Sequence, residues 1–471
     1  MKSTTAQKTQ RIIEKEGKEL KRLNKKIAKG SYAGYFAVIL FLIGFVNVID
    51  EITSSLPTYM QSSFVTDFLV NTPFMGVTRT FEEALSLHSI ISAVSYVFGI
   101  VTPFYKALAD RFGRKPLFVV STLGMSLGML LVFVSTNYAT FLLGSAIMGF
   151  FIGHDIQIIY ILEEAPSKHR AKIYSVLKAL GILGSVAIPA LRSSIMGNDP
   201  EKWRLVFLAP GIVGLFATVM VILFARETKI FLKERSEYLA IPFEERQAEK
   251  ERKAQAKKAD SKNTGVFSGI KYIFRNADTR ALIIVHIVFD IAIAAVGLYH
   301  ESAMHISGMS TAQITKALYV IPFVYATCVF LSGIIADALG RKKTILFFSM
   351  CNVVFLILFV IGLAKHLNPY FIGFCAGVYQ AGYWIGRDYM DIMMTEKVPT
   401  EIRASVVGAE GLLVCAGMAI GYVVMTAGIL VIPVSTMLVI ITVPCVSASA
   451  IALMFRVKET KGVNLAEIPK E

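Results

Sequence analysis

Twelve apolar runs of about 20 residues divide this sequence, and each is long enough to cross a lipid bilayer as a helix. Helices are expected because a spanning segment must satisfy its own backbone hydrogen bonds in lipid. Only 17% of the 471 residues are charged, which excludes an ordinary soluble domain. The sequence predicts an all-α membrane protein with twelve transmembrane helices. The runs lie at residues 33–57, 87–109, 116–136, 139–165, 172–196, 203–225, 280–303, 314–337, 343–364, 370–395, 402–427 and 430–455.

Three short motifs occur twice in the same order. The basic turn Asp110–Lys115 returns as Asp337–Lys342, each time between two apolar runs. Two more pairs follow at the same offset of about 230 residues. They are Glu163, Pro166, Arg170 and Ala171 with Glu396, Pro399, Arg403 and Ala404, and Glu227-Thr228-Lys229 with Glu459-Thr460-Lys461. The repetition predicts two pseudo-symmetric six-helix bundles.

The basic turn, D-R-F-G-R-K between the second and third runs with a degenerate copy between the eighth and ninth, resembles the signature of the major facilitator superfamily. The resemblance extends from about Ala33 to Glu467. Glu163–Arg170 and Glu459–Gly462 resemble its sugar-porter and metabolite-proton symporter branches. It implies the major facilitator fold and transport of a solute by alternating access.

The placement of basic residues predicts the topology. Lys and Arg crowd the N-terminal tail, the turns at 111–115, 168–172 and 341–343, and the segment 226–262. The protein is expected in the plasma membrane. By the positive-inside rule, both termini and the linker are expected to be cytoplasmic. The tail is also expected to contact anionic lipid, whereas nucleic-acid binding is not expected. The segment 58–86 is predicted to be a solvated external loop.

The predicted domains follow from these boundaries. They are a cytoplasmic tail at 1–32, a first bundle at 33–225, a cytoplasmic linker at 226–279, a second bundle at 280–455 and a cytoplasmic tail at 456–471.

The resemblance places a cytoplasmic gate at the two basic turns. Asp110 is expected to meet the positive N-terminal end of the eleventh run, which begins near Arg403. We expect Arg114 to reach Glu163 and Glu227, and Arg341 to reach Glu396 and Glu459. The alternative is a plain topology signal, for which any Lys or Arg would serve. The predicted gate residues are Asp110, Arg111, Gly113, Arg114, Glu163, Arg170, Glu227, Asp337, Gly340, Arg341, Glu396, Arg403 and Glu459.

Ionisable side chains inside the apolar runs predict a polar central cavity. Such groups are costly in a membrane unless they are paired or hydrated, and transporter sites lie near the midplane. The alternative is that some form structural pairs, such as Lys178 with Glu410 or Arg387 with Asp388. The predicted binding and coupling residues are Asp50, His154, Asp155, Lys178, His286, Asp290, Tyr383, Arg387, Asp388, Asp391 and Glu410.

The same residues predict the solute and the coupling ion. Lys178 stands where sugar porters tend to place a Gln, and the family's Gln-Gln pair on the seventh run is missing. A Lys and an Arg suit an organic carboxylate, while a sugar-like metabolite stays the alternative. Asp50, Asp155 and Asp290 are the candidates for proton coupling, with Asp50 first, and His286 is expected to share the proton with Asp290.

Several other functions are less consistent with the sequence. An efflux antiporter of the same fold is the main alternative, although efflux pumps usually have fewer cavity charges. A non-transporting membrane sensor is the alternative of another class. No catalytic residue set, metal cluster or cofactor motif is evident, so neither enzyme activity nor a bound cofactor is expected. All five Cys lie inside apolar runs without a C-x-x-C pair, so no disulfide or metal role is expected for them. The protein is expected to be a monomer.

Overall fold

The computed structural model describes residues 5–29, 34–95, 112–152, 160, 163–164, 170–249, 252, 266–399 and 402–461. Over these residues the regular structure is helical, apart from an isolated β-bridge between Phe74 and Val77. The predicted all-α class is therefore confirmed.

The helices of the first half are numbered here as spans 1 to 6. A helix at Thr5–Lys29 precedes them. The spans are Tyr35–Tyr59, Phe81–Ser95, Arg114–Phe133, Tyr138–Ile152, then Arg170–Gly184 continued by Ala187–Leu191 and Arg192–Met196, and Trp203–Phe224.

The helices of the second half are numbered as spans 7 to 12. Two helices, Lys229–Ala240 and Val266–Arg275, come before them in the linker. The spans are Ala277–Asp290 continued by Ile293–Leu298 and His300–Ile306, then Thr311–Leu339, Arg341–Ala364, Pro369–Glu396, Arg403–Gly428 and Val434–Arg456.

Each of the twelve predicted runs overlaps one of these spans, although the helices of spans 2 and 4 are described only as far as Ser95 and Ile152. Eight helices in the described part of the chain are long and apolar enough to cross a membrane by length and composition. Span 10 is long but carries Arg387, Asp388 and Asp391, and span 7 is divided into three helices. The protein is thus an integral, multi-pass membrane protein.

Local sequence determines where several spans begin. Ser310 and Gln313 form a reciprocal capping box at the start of span 8. The Asn368 side chain accepts a hydrogen bond from the Tyr370 backbone, and Pro369 occupies the first turn of span 10. Such caps satisfy the orphan N–H groups of a helix end, so the boundaries are fixed before tertiary packing.

Each half packs mainly within itself. Span 3 lies against spans 4 and 6, and span 1 against span 5; span 10 lies against spans 8 and 9, and span 7 against spans 11 and 12. The two halves meet where span 2 contacts span 11 and span 5 contacts span 8. This places the inward sides of spans 5, 7, 10 and 11 around the centre of the molecule.

The predicted loop at 58–86 is wrong at both ends, because residues 81–86 belong to span 2 and the part up to Val70 is helical. Gln61–Val65 continues span 1 as an α-helix, and Thr66–Val70 adds a π-helical turn. Residues Gln61–Val65 are all buried, because Phe64 and Phe68 stack among the rings of Phe141 and Trp203. Aromatic packing of this kind favours helix over a solvated loop.

The N-terminal tail forms a helix that packs on the linker. Leu23 of Thr5–Lys29 is buried against Leu232 and Leu239 of the linker helix Lys229–Ala240. Two ion pairs reinforce this contact: Arg235 Nε lies 3.0 Å from Glu19 Oε1, and Arg246 Nη2 lies 2.6 Å from Glu16 Oε2.

Candidate functional site

The polar contacts lie at the two ends of the molecule and between them. The basic end holds the turns Gly113–Lys115 and Gly340–Lys342, and the far end holds Tyr59–Ser62 and Arg192. Four groups of polar contacts form the candidate site: two at the basic end, one at the far end and one between the ends.

The first turn cluster comprises Arg114, Glu163, Glu227 and Thr228. Arg114 Nε and Nη2 lie 2.9 and 2.8 Å from Glu163 Oε1, which forms a charge-assisted contact. The Arg114 backbone N–H donates to Glu227 Oε1 at 2.7 Å, and Thr228 Oγ1 donates to Glu163. Burial raises the pKa of Glu227, although backbone N–H donors to its carboxylate oppose this shift.

The second turn cluster repeats this arrangement with Arg341, Glu396, Glu459 and Thr460. Arg341 Nε and Nη2 lie 3.2 and 3.1 Å from Glu396 Oε1, and its backbone N–H donates to Glu459 Oε1 at 3.0 Å. Thr460 Oγ1 donates to Glu396 Oε2 at 2.5 Å. Both turn clusters contain the contacts that the repeated motifs predicted.

A glycine at each turn permits this arrangement. Gly113 has φ 102° and Gly340 has φ 98°, a region that residues with a Cβ rarely adopt. A Cβ would lie 2.3 Å from Glu227 Oε2 at the first turn and 2.5 Å from Glu459 Oε2 at the second. The carboxylates can approach the turn backbone only because a glycine is present.

Five further residues were predicted to belong to the gate. Asp110 and Arg111 lie outside the described residues, as does the side chain of Arg170. Asp337 is exposed, and Arg403 Nη2 donates to the Val398 carbonyl at 3.1 Å. The gate role of all these residues stays a prediction.

The central charge cluster comprises His286, Asp290, Arg387, Asp391 and Glu410 from spans 7, 10 and 11. Arg387 Nε donates to Asp290 Oδ2 at 2.9 Å, and Tyr383 Oη donates to Asp290 Oδ1 at 2.7 Å. Asp290 is fully buried, so these two donors compensate for the loss of hydration. Ring stacking of Phe289 on Tyr383, with centroids 4.9 Å apart, fixes the tyrosine.

A second part of the central charge cluster surrounds His286. Its Nδ1 lies 3.2 Å from Glu410 Oε1 and 3.9 Å from Asp391 Oδ1. His286 and Glu410 are buried, whereas the Asp391 side chain is 47% exposed. Asp391 is therefore the accessible member of a group whose other two members, an imidazole and a carboxylate, are buried.

These three side chains could also ligate a metal ion. One ligand atom from each lies within 4.8 Å of the others, and a nitrogen with two carboxylates suits a divalent transition metal. However, Arg387 Nη1 lies 3.9 Å from Asp391 Oδ2 and competes for that carboxylate.

Two of the pairs named in the structural alternative do not form among the described residues. Lys178 Nζ lies 3.5 Å from Glu51 Oε1 of span 1, and Glu410 contacts His286 instead of Lys178. Arg387 pairs with Asp290 instead of Asp388. The Lys178 pairing depends on helix rotation, which sequence spacing does not fix. Arg387 and Asp388 are consecutive on one helix, and such neighbours do not face each other.

Charged groups from both halves are accessible in the middle of the molecule. The Lys178 side chain is 48% exposed and Asp388 is exposed, and the two charges act on each other across the two halves. Asp50 is half-buried in span 1, while His154 and Asp155 lie outside the described residues. Because lipid disfavours exposed charges, these groups indicate a hydrated cavity.

The far-end network joins the two halves and was not predicted. Arg192 Nη2 of span 5 lies 3.1 Å from Glu301 Oε1 of span 7, with side-chain exposures of 1% and 0%. Ser62 donates to Glu301 from Oγ at 2.6 Å and from its backbone N–H at 2.7 Å. Arg192 also donates to Thr315 Oγ1 at 3.1 Å and to the Tyr59 carbonyl.

This network closes the far end. Further contacts between the halves lie beside it: Ser302 Oγ donates to Gln61 Oε1, and Tyr299 Oη donates to Ser89 Oγ. Arg192 and Glu301 both fall inside predicted apolar runs, so the rule that singled out the central charges also applied to them.

Comparisons with known proteins agree with this architecture. The model of the Major Facilitator Superfamily matches residues 37–422. Among curated relatives, organic cation/carnitine transporter 6 from Arabidopsis thaliana is 23% identical over 339 residues, covering 68% of this chain. The chain spans 62% of that relative's length. The glucose transporter GlcP from Staphylococcus epidermidis is 23% identical over 384 residues, covering 77% of this chain and 83% of GlcP.

A solved structure supports the fold. The inward-open conformation of the xylose transporter XylE from E. coli matches with a TM-score of 0.65 at 16% identity, covering 92% of this chain and 99% of XylE. This likeness confirms the predicted arrangement of twelve helices in two six-helix bundles.

Proposed function

Because this chain belongs to the Major Facilitator Superfamily, we propose that it is a secondary active transporter that carries a small polar solute by proton-coupled symport. The observation that carries the proposal is the central charge cluster, which faces an accessible cavity while the far end is closed. A site between two halves, closed at one end, is the arrangement that alternating access requires.

The orientation follows from charge. The basic end faces the cytoplasm under the positive-inside rule, so the far end is external. Both termini are then cytoplasmic, and the protein acts as a monomer in the lipid bilayer of the plasma membrane. With the far end closed, the cavity opens towards the cytoplasm in this conformation.

The solute is an organic carboxylate on this proposal. The Lys178 ammonium is half-exposed in the cavity, and Arg387 lies across it on span 10. Charge-assisted hydrogen bonds from two cations would orient a carboxylate. A sugar-like metabolite is the second candidate, because GlcP is named as a glucose transporter.

The coupling proton is carried by Glu410 with His286. Glu410 is buried, and its hydrogen-bond partner is the His286 imidazole rather than a guanidinium or ammonium. Asp290 is a poorer candidate because Arg387 and Tyr383 already occupy both oxygens of its carboxylate. Asp50 stays a candidate on span 1, and Asp155 stays a prediction.

Transport in proteoliposomes tests the coupling. With an inward proton gradient, Glu410→Gln should abolish uphill uptake and leave solute exchange, since a glutamine cannot release a proton. Asp199→Asn, an exposed site at the far end, is the matched control and should behave as the parent. Uphill uptake at the parental rate in Glu410→Gln would exclude Glu410. Uptake that appears only with the opposite gradient would identify an efflux antiporter instead.

A thermal-shift screen identifies the solute class. A ligand that binds only the folded protein raises the free energy of unfolding by mass action, by about 2.7 kcal/mol when its concentration is a hundred times Kd. Tm rises as a result. We expect a carboxylate to raise Tm, and Lys178→Gln or Arg387→Gln to remove the effect. A sugar that raises Tm equally in parent and variants would favour the second candidate. Binding without any transport would indicate a sensor.

A further inference from the structure

A cavity of about 780 Å³ lies at the basic end, outside the central charge cluster. Its walls come from four separate elements: the helix Thr5–Lys29, the start of span 3, the residues that follow span 6, and the linker helix Lys229–Ala240. The N-terminal helix is held over it by buried Leu23 and by the ion pair of Arg235 with Glu19. The cavity is therefore built by tertiary packing.

Cations dominate the lining of this cavity. Six basic side chains face two carboxylates, and both carboxylates have partners: Glu19 pairs with Arg235, and Glu227 accepts backbone N–H groups of the first turn cluster. Lys26 and Arg226 are close enough to Lys115 for their like charges to repel it. The six basic residues are Arg22, Lys26, Lys115, Arg226, Lys229 and Lys233.

A topology signal does not require this arrangement. Positive residues that only set membrane orientation can be spread over the surface, where water screens them. Here they converge from four elements on one concave site, and their mutual repulsion opposes folding. A bound phosphate group would offset that repulsion, and both Arg and Lys are common phosphate ligands.

We propose that this cavity binds the phosphate group of an anionic ligand, either a phospholipid headgroup or a soluble phosphate ester. The apolar wall formed by Ile27, Phe112 and Phe231 would contact the organic part of that ligand. Glu227 lines the cavity and accepts the Arg114 backbone N–H in the first turn cluster. A ligand in the cavity would therefore stabilise the contacts of that cluster.

Binding to the purified full-length protein tests this proposal, with a readout that does not depend on transport. The probes are inorganic phosphate and glycerol phosphate, titrated calorimetrically in detergent, and phosphatidylcholine nanodiscs with or without phosphatidylglycerol, compared by Tm. Binding of the soluble probes would identify a soluble ester as the ligand source, and stabilisation by phosphatidylglycerol alone would identify the lipid. Either result supports the site.

Two matched double variants locate the binding. Lys26→Gln with Lys233→Gln removes two lining charges, and Lys21→Gln with Lys25→Gln removes two charges from exposed positions outside the lining. At about fivefold for each lysine, the first pair should weaken phosphate binding about twenty-fivefold, and the second less than about twofold. Equal losses in both variants, or no response of the parent to any probe, would overturn the proposal.

Discussion

Gly113 and Gly340 illustrate how single residues determine the geometry of the basic end. Both adopt positive φ, and at both a glutamate carboxylate occupies the space that a Cβ would fill. The positive φ disfavours other residues at the same position in each half, and a Cβ would in addition displace the carboxylate. The conformation and the contact are repeated because the sequence motif is repeated.

Alanine substitution at either glycine should lower Tm. The new Cβ would strain the backbone and displace Glu227 or Glu459, and strain at positive φ alone costs of order 1–3 kcal/mol. Gly333→Ala is the control, because Gly333 lies within the helix of span 8 with open space around it. That change should be neutral or stabilising, since alanine favours helix. Tm measured in detergent checks all three, and equal values would contradict the expected strain.

The two turn clusters share their contacts but differ in burial. Arg114 and Glu163 are 8% and 12% exposed, and the Arg114 guanidinium also lies 5.0 Å from the Phe231 ring. Arg341 and Glu396 are 24% and 18% exposed. Because water weakens an ion pair, the first turn cluster should depend more on its arginine than the second.

Substituting the two arginines tests this difference. Arg114→Gln leaves Glu163 buried without its ion-pair partner and should cost about 2–4 kcal/mol, against about 1 kcal/mol for Arg341→Gln. Denaturation midpoints of the purified variants measure the difference, with exposed Arg456→Gln as the control. A larger loss at Arg341 would show that burial does not govern these pairs.

The helices and the contacts of the repeated motifs could be predicted from the sequence. The side-chain pairings of the central charges could not. Apolar length defined all twelve spans, and the motif repeat gave the Arg114–Glu163 and Arg341–Glu396 contacts. The pairings of Lys178 and Arg387 were missed because they depend on helix rotation. The helix at Gln61–Val65 was missed because aromatic packing between distant segments stabilises it.

At the scale of the whole molecule, the far-end network holds the two halves together. Arg192 and Glu301 lie on different halves and are almost fully buried, so separating them requires either hydration of both charges or loss of a buried ion pair. Opening of the far end therefore has a free-energy cost that solute binding or proton binding must offset.

Breaking this pair should open the far end. Arg192→Gln leaves Glu301 buried without its ion-pair partner, at a cost of about 3–5 kcal/mol, and this shifts the population towards conformations in which Glu301 is hydrated. A cysteine introduced at buried Ser302, in a background without native cysteines, reports the change by reaction with an impermeant maleimide. Labelling should be fast in the variant and slow in the parent. Exposed Lys202→Gln should leave it slow, and slow labelling in Arg192→Gln would remove the pair from the closure.

The second turn cluster has a consequence for the gene as well as for the protein. Glu459 and Thr460 lie beyond span 12, which ends at Arg456, yet they complete the contacts of Arg341 and Glu396. A stop codon at position 458 would spare spans 1 to 12 and delete these two residues. The product would keep these spans, but its second half would lack a contact that the first half retains.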